Sequence, residues 1–328
     1  MSIASKKLKI IVILGPTATG KSDLAVKIAK RFGGEVVSAD SRQVYIGVDL
    51  GSDKVNPNEI SKRQILNPKQ YRNSKKQKLK KEYFYKGIRH HLIDVANPKK
   101  TFTVTRYKRL AEKAIGDIIK RGKIPIIAGG TGLYIDALIH NWELPKVKPS
   151  LKLRRELEKK SVDQLFRELE KLDPKRAQNI DPYNKRRLVR ALEILIKTGK
   201  SSHSNILQNV RMSKYNVLKL GIKVEGEKLR ERIRKRTLRR LREGVIQEME
   251  RLKKSGVSQR RLDDISLYYR WVGPYLRGEM NQEKTLDLIS TKIWRYAKRQ
   301  IMWFKRDKSI HWISKSLEVE RLMREFMG

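Results

Sequence analysis

Gly15, Gly20, Lys21 and Ser22 fit G-x-x-x-x-G-K-[ST] without a mismatch, across Gly15, Pro16, Thr17, Ala18, Thr19, Gly20, Lys21 and Ser22. Glycines let the backbone wrap so that successive amide N–H groups point into one concavity, where a phosphate is held. Lys21 adds a point charge. Kinases, NTPases and group transferases that release pyrophosphate all use such a loop, so its presence leaves open whose phosphate it holds.

Other residues mark chemistry nearby. Asp40 ends an apolar run and has two readings: a magnesium-shell carboxylate, or a general base for an attacking amine. A capping aspartate is the structural alternative. Gly129-Gly130-Thr131-Gly132 lets backbone approach a ligand and offers the Thr131 hydroxyl, although a glycine turn with a threonine cap explains it equally well. Arg232 and Arg236 lie one helical turn apart and are read as a clamp for a diphosphate. Lys185, Arg186, Arg187 and Arg190 open a helix, where cations oppose the dipole; an RNA backbone explains them better than stability does.

The elements that must carry these residues are legible. Ile10–Leu14 is a short buried strand, and Leu24, Ala25, Ile28, Ala29 and Phe32 recur at helical spacing behind the loop, whose helix N-terminus also favours an anion. A second strand is expected from Val36 to Asp40 and a third over Ile124–Ala128, with helices at Tyr107–Ile119 and Leu133–Ile139. In open α/β sheets reacting groups gather beyond the carboxyl ends of strands, so Asp40 and the loop are expected to face one crevice. Leu144–Ser150 reads as a linker. After it, Leu151–Leu172 and Arg186–Thr198 read as helices, with no strand pattern until Val217–Val224. The expected architecture is therefore α/β: a parallel sheet flanked by helices, residues 1–143 and 206–328, with an all-helical insertion at 144–205. Trp294–Lys305 reads as a helix whose aromatics are mostly core. His90 and His91 are expected to point to opposite faces of a strand, one buried and one contacting RNA or the loop.

The 328 residues include 77 Lys and Arg against 35 Asp and Glu, a formal net charge of +42, which points to a polyanionic partner such as nucleic acid. A lysine-biased genome accounts for part of this, but not for the grouped arginines. Seven of the residues from 69 to 81 are Lys or Arg with no acid among them, and Tyr83, Phe84 and Tyr85 follow. That segment, inside an aperiodic stretch from 56 to 89, reads as a solvated loop or as a nucleic-acid contact with stacking aromatics. The absence of cysteine excludes disulfides and thiolate zinc sites and fits a reducing cytoplasm. Five apolar residues before Gly15 are too few for a signal-peptide core or a membrane span, so a cytoplasmic protein is expected.

Taken in order, G-P-T-A-T-G-K-S at 15–22, S-A-D-S-R-Q-V-Y at 38–45, H-H-L-I-D-V at 90–95, G-G-T-G-L-Y at 129–134, R-R-L-V-R-A-L-E at 186–193, the helix around Arg232 and Arg236, and A-K-R-Q-I-M-W-F at 297–304 resemble the tRNA dimethylallyltransferases, also called tRNA isopentenyltransferases. The resemblance implies a P-loop NTPase-like core with an inserted helical tRNA-binding domain. It implies transfer of a dimethylallyl group from dimethylallyl diphosphate to N6 of the adenosine 3′ of the anticodon in tRNA. By the same resemblance, residues 15–22 hold the donor diphosphate, Lys21 and Arg236 neutralise the leaving pyrophosphate, and Ser22 helps hold Mg2+. Asp40 is the base, Thr131 belongs to the catalytic group, and Asp40, Ser41, Arg42, Gln43, Thr131, Arg154, Arg186, Arg187, Leu188, Val189 and Arg190 contact tRNA. A monomer is the simplest expectation.

The chain departs from the family pattern at Tyr268, within I-S-L-Y-Y-R-W-V-G-P-Y, where many members have glycine, and in its long basic segment at 56–89; the zinc finger of some eukaryotic members is absent. Two other activities remain to be weighed: prenylation of free adenine nucleotides, which needs neither the charge nor the insertion, and a small-molecule P-loop kinase with Asp40 on magnesium.

Overall fold

The computed structural model describes residues 7–55, 60–64, 81–145, 147–199, 214–314 and 316–328. They divide into two compact units, residues 1–138 with 215–328, and residues 139–214.

The first unit is built on β1 (Leu8–Leu14), whose residues from Ile10 onward are buried on both faces. Such an unbroken apolar run suits the middle of a parallel sheet covered by helices. β1 pairs in parallel with β6 (Ile124–Gly129), Leu14 opposite Gly129, and with β7 (Tyr215–Ile222), Leu14 opposite Gly221. β2 (Gly34–Ser38) flanks β6, β5 (Ile88–His91) flanks β2, and β8 (His311–Ile313) flanks β7. Two further strands, β3 (Ile60–Gln64) and β4 (Lys81–Tyr85), extend the β5 edge antiparallel. The sheet order is β3-β4-β5-β2-β6-β1-β7-β8.

α1 (Lys21–Phe32) lays Ala25, Ile28 and Ala29 on Ile11, Ile13, Ile126 and Leu220, and Gly33, at φ 68°, closes it. Truncating Ile13 in this core costs about 2–5 kcal/mol. α2 (Val104–Lys120) starts at Thr103, whose side chain accepts from the Arg106 N–H, and α3 spans Gly132–Ile139.

The second unit contains α4 (Leu151–Lys159), α5 (Val162–Leu172), α6 (Pro174–Ala177) and α7 (Lys185–Thr198) around Leu157, Leu165, Leu169, Leu188 and Leu192. The single helix expected over Leu151–Leu172 is two, because Ser161 and Gln164 form a capping box that starts α5 afresh. The unit begins at residue 139, before the expected 144.

The 56–89 segment also needs correction. Its described residues include β3, β4 and the start of β5 where an aperiodic stretch was expected, and Tyr83 and Tyr85 are buried rather than offered to bases. Most of its basic run, residues 69–80, lies outside the described residues.

Candidate active site

The phosphate loop begins where β1 ends. Gly15 (φ 143°), Ala18 (φ 65°) and Gly20 (φ 87°) take left-handed conformations, and Gly20 is the N-cap of α1. The loop is tied internally: Thr19 Oγ1 donates to the Pro16 carbonyl at 2.9 Å and Lys21 Nζ donates to the same oxygen at 2.6 Å. Burial pulls the Lys21 ammonium down to about 8; Asp40 opposes the shift, while Arg236 adds to it.

Loop residues 17–22 form one wall of a crevice of about 400 Å³. Across it stand Asp40, Arg42 and Gln43 from the end of β2, and Gly129 and Gly130 from the end of β6, as the strand ends require. Asp40 Oδ1 accepts from the Arg42 N–H at 2.8 Å and the Gln43 N–H at 3.4 Å. It therefore caps the turn at 41–44, and the backbone fixes its carboxylate. Thr131 is set behind this turn: its Oγ1 accepts the Ser41 N–H at 3.0 Å and lies 3.3 Å from the Ser41 hydroxyl. Gln43 bonds Ser38 Oγ and the Asp53 carbonyl, and Arg42 stacks on Tyr296 at 4.3 Å.

Two long helices complete the crevice. α8 (Gly226–Arg242) contributes Arg236, Arg239 and Arg240, and α13 (Gln282–Phe304) contributes Tyr296 and Gln300; between them lie α9 (Val245–Lys254), α10 (Gln259–Ile265), α11 (Leu267–Trp271) and α12 (Gly273–Leu276). Arg236 Nη2 donates to Thr17 Oγ1 at 2.8 Å, and Gln300 accepts the Thr17 N–H at 2.9 Å while donating to the Gly130 carbonyl at 2.7 Å. A Cβ on Gly130 would sit 2.3 Å from Gln300 Nε2, so this cross-tie between the two loops needs glycine there.

The structure thus brings Lys21, Ser22, Asp40, Arg42, Gln43 and Arg236 to one crevice. Arg232 does not join Arg236: it is exposed, and the second inward arginine of α8 is Arg240. Sequence reading missed Asp53, Arg240, Tyr296 and Gln300. The last lies in the quoted A-K-R-Q motif, and Asp53 follows a glycine in G-S-D-K, but neither spacing announces a partner. Of the aromatics between Trp294 and Phe304 only Phe304 is buried, which corrects their reading as core; Trp303 donates to Asp136 at 2.8 Å. His91 pairs with Glu35 at 2.7 Å, and His90 is buried.

In the second unit, Arg154 and Arg190 both bind Glu193, a carboxylate with no exposure, at 2.7 and 2.5 Å. Burial pushes Glu193 upward, but Arg154, the Ser150 N–H and Arg190 outweigh it and hold the acid at about 2. Leu188 and Val189 are core residues. These five side chains build the insertion, and the opposing dipole is no argument against a stability role when the pairing acid is one turn away. Arg186 and Arg187 are exposed on the first turn of α7, behind Tyr183, which is 85% exposed.

Ser22 and Asp40 bring oxygen donors to the crevice, the class Mg2+ takes when substrate phosphates supply the rest. Among the described residues no group of three or more His, Cys, Asp or Glu forms a cage of its own, and no helix is long and apolar enough to cross a membrane.

The family model described as IPP transferase matches residues 74–307, and that described as isopentenyl transferase matches 8–70. The chain is 37% identical over 317 residues to the tRNA dimethylallyltransferase of Acetivibrio thermocellus, covering 93% of this chain and 91% of the relative. It is 37% identical over 313 residues to that of Staphylococcus aureus, covering 93% and 92%. Among solved structures, the full-length tRNA isopentenylpyrophosphate transferase of Bacillus halodurans superposes with a TM-score of 0.65 at 33% identity, over 98% of this chain and 95% of that one. A eukaryotic dimethylallyltransferase acting on tRNA gives 0.71 at 28% identity, over 90% and 70%.

Proposed function

The chain belongs to the tRNA dimethylallyltransferase family, the IPP transferases, and on that premise we propose that it transfers a dimethylallyl group from dimethylallyl diphosphate to N6 of the adenosine 3′ of the anticodon in tRNA. The observation that carries this reading is the facing of Asp40 and the phosphate loop across one crevice.

An exocyclic adenine amine is a weak nucleophile, and its reaction needs two aids: removal of its proton and stabilisation of the leaving diphosphate. N6 bonds to C1 of the dimethylallyl group as the C1–O bond breaks, and the bonding pair leaves with pyrophosphate. Asp40, oriented by the Arg42 and Gln43 N–H groups, takes the N6 proton. Lys21 and Arg236 neutralise the pyrophosphate. Thr131 fixes the turn that carries Asp40 through Ser41. Ser22 would help hold Mg2+, which when bound would supply further charge neutralisation. The adenine must leave its stack to enter, which favours a protein that grips the anticodon stem-loop. Arg186 and Arg187 serve as phosphate contacts in the insertion, and the enzyme works in the cytoplasm as a monomer.

Incubation with unmodified tRNA, dimethylallyl diphosphate and Mg2+, followed by RNA digestion and mass spectrometry, tests the reading. Prenylated adenosine is expected with tRNA and not with AMP, ADP or ATP. Product only with free nucleotides would move the activity to nucleotide prenylation, and ATP-dependent phosphorylation without prenyl transfer would make the chain a kinase.

A further inference from the structure

Arg236 does not stand alone at the crevice. Asp53 Oδ2 holds its Nη2 at 2.9 Å, and the same nitrogen reaches Thr17 Oγ1 on the phosphate loop at 2.8 Å. Arg236 lines the crevice, and its Nε is buried without a hydrogen-bond partner, so the contacts that aim the guanidinium run through Nη2. Where Arg236 points depends on Asp53, which sits at φ 52° in a short loop.

Asp53 is in turn held on its other oxygen. The Tyr268 hydroxyl donates to Oδ1 at 3.0 Å, whereas Arg240 Nε lies at 3.5 Å and directs its remaining nitrogens to Glu243 and the Lys54 carbonyl. Tyr268 is buried and does not line the crevice. Burial, then the Asp53 charge, raises its phenol above the ordinary tyrosine value, so it stays a donor at working pH.

The helix carrying Tyr268 is stapled to the Asp53 loop independently of that hydroxyl. Ser266 Oγ donates to the Gly51 carbonyl at 2.7 Å. Glu248 accepts the N–H groups of Asp49, Leu50 and Gly51 and the Tyr269 hydroxyl. The buried Lys54 ammonium binds the Tyr45 carbonyl, Asp49 and Asp94. This frame fixes the phenol's position and survives its removal.

We propose that Tyr268 is a positioning residue for the donor diphosphate: by bonding Asp53 it holds Arg236 against Thr17 and offsets the carboxylate's charge beside the crevice. The inference deepens the proposed function and rests on a diphosphate occupying that crevice. It also gives a role to the side chain that stands where many relatives have glycine. Without the hydroxyl, Asp53 faces the crevice less compensated, drawing on Arg236 and repelling the incoming anion.

Titration calorimetry of the full chain with inorganic pyrophosphate and Mg2+, without tRNA, reads this directly. Tyr268→Phe is expected to weaken pyrophosphate binding roughly 3- to 10-fold, the scale of one net hydrogen bond, and to raise the donor KM by the same factor, with kcat and tRNA affinity unchanged. In an Asp53→Ala background, which lacks the acceptor, Tyr268→Phe is expected to change nothing further. Unaltered pyrophosphate affinity in Tyr268→Phe overturns the proposal, as does an equal loss in the Asp53→Ala background, or a parallel loss of tRNA affinity that marks general disruption. If wild-type protein transfers prenyl groups yet binds no pyrophosphate, this inference alone fails. If it does neither, the proposed function fails with it.

Discussion

At the crevice, Arg236 shares its carboxylate, Asp53, with Tyr268 and Arg240 and lies on the wall of a cavity; in the insertion, Arg154 and Arg190 converge on Glu193 and are committed to holding helices together. Both regions read as arginine-rich stretches near a helix. The difference is where the acid sits. A carboxylate on a cavity wall orients a cation toward a ligand, whereas one with no exposure must be paired internally because an unpaired buried charge is costly. The charge excess of +42 therefore overstates the cations available to RNA.

The largest expected effect lies on the chemical side of the comparison. Asp40→Ala should lower transfer about 10³-fold, the scale of a lost general base, with tRNA affinity near normal; full activity would remove Asp40 from the base role. Next is Lys21. With its ammonium lowered to about 8, the free enzyme loses this charge above that pH, so kcat/KM for the prenyl donor should break downward near pH 8. Lys21→Ala should remove the break and weaken donor use about 10²-fold, leaving tRNA binding intact.

On the structural side, Glu193→Ala should destabilise the insertion by about 2 kcal/mol, below the usual range for a broken buried pair because its arginines remain about one-third exposed. Thermal unfolding checks it. Glu193 is depressed in the folded chain, so its contribution is complete above pH 4.5 and is lost as pH falls toward 2; acid should loosen the wild-type insertion over that window and change the variant less. Smallest and sharpest is the pair Arg186→Ala with Arg187→Ala. It should flatten the salt dependence of tRNA binding by a slope of about 2 without changing stability, since each phosphate contact contributes about 0.9. Arg190→Ala should show the reverse pattern, a stability loss with the slope retained.

Much of the site was legible before the fold. The phosphate loop announces itself because its chemistry depends on local backbone and on one adjacent lysine, and local constraints are written contiguously. Asp40 was legible because a strand end is a local event and the sheet rule places such ends together. The interleaved aromatics were misread, since Tyr83 and Tyr85 alternate with the chain but face inward in β4. Leu188 and Val189 were assigned to RNA from a motif in which these two positions are buried core.

By itself, then, the sequence determined a parallel α/β core, its phosphate loop, an all-helical block and the family, because periodicity and contiguous motifs are properties of short stretches. Only the tertiary structure decided which cations are engaged and by what. Asp53 meets Arg236 across 183 residues of chain and Tyr268 across 215, while Thr17 meets Gln300 across 283. No spacing rule spans such separations. Whether an arginine faces a cavity or a buried acid is settled by the packing of helices far apart in the chain, and desolvation then fixes its use.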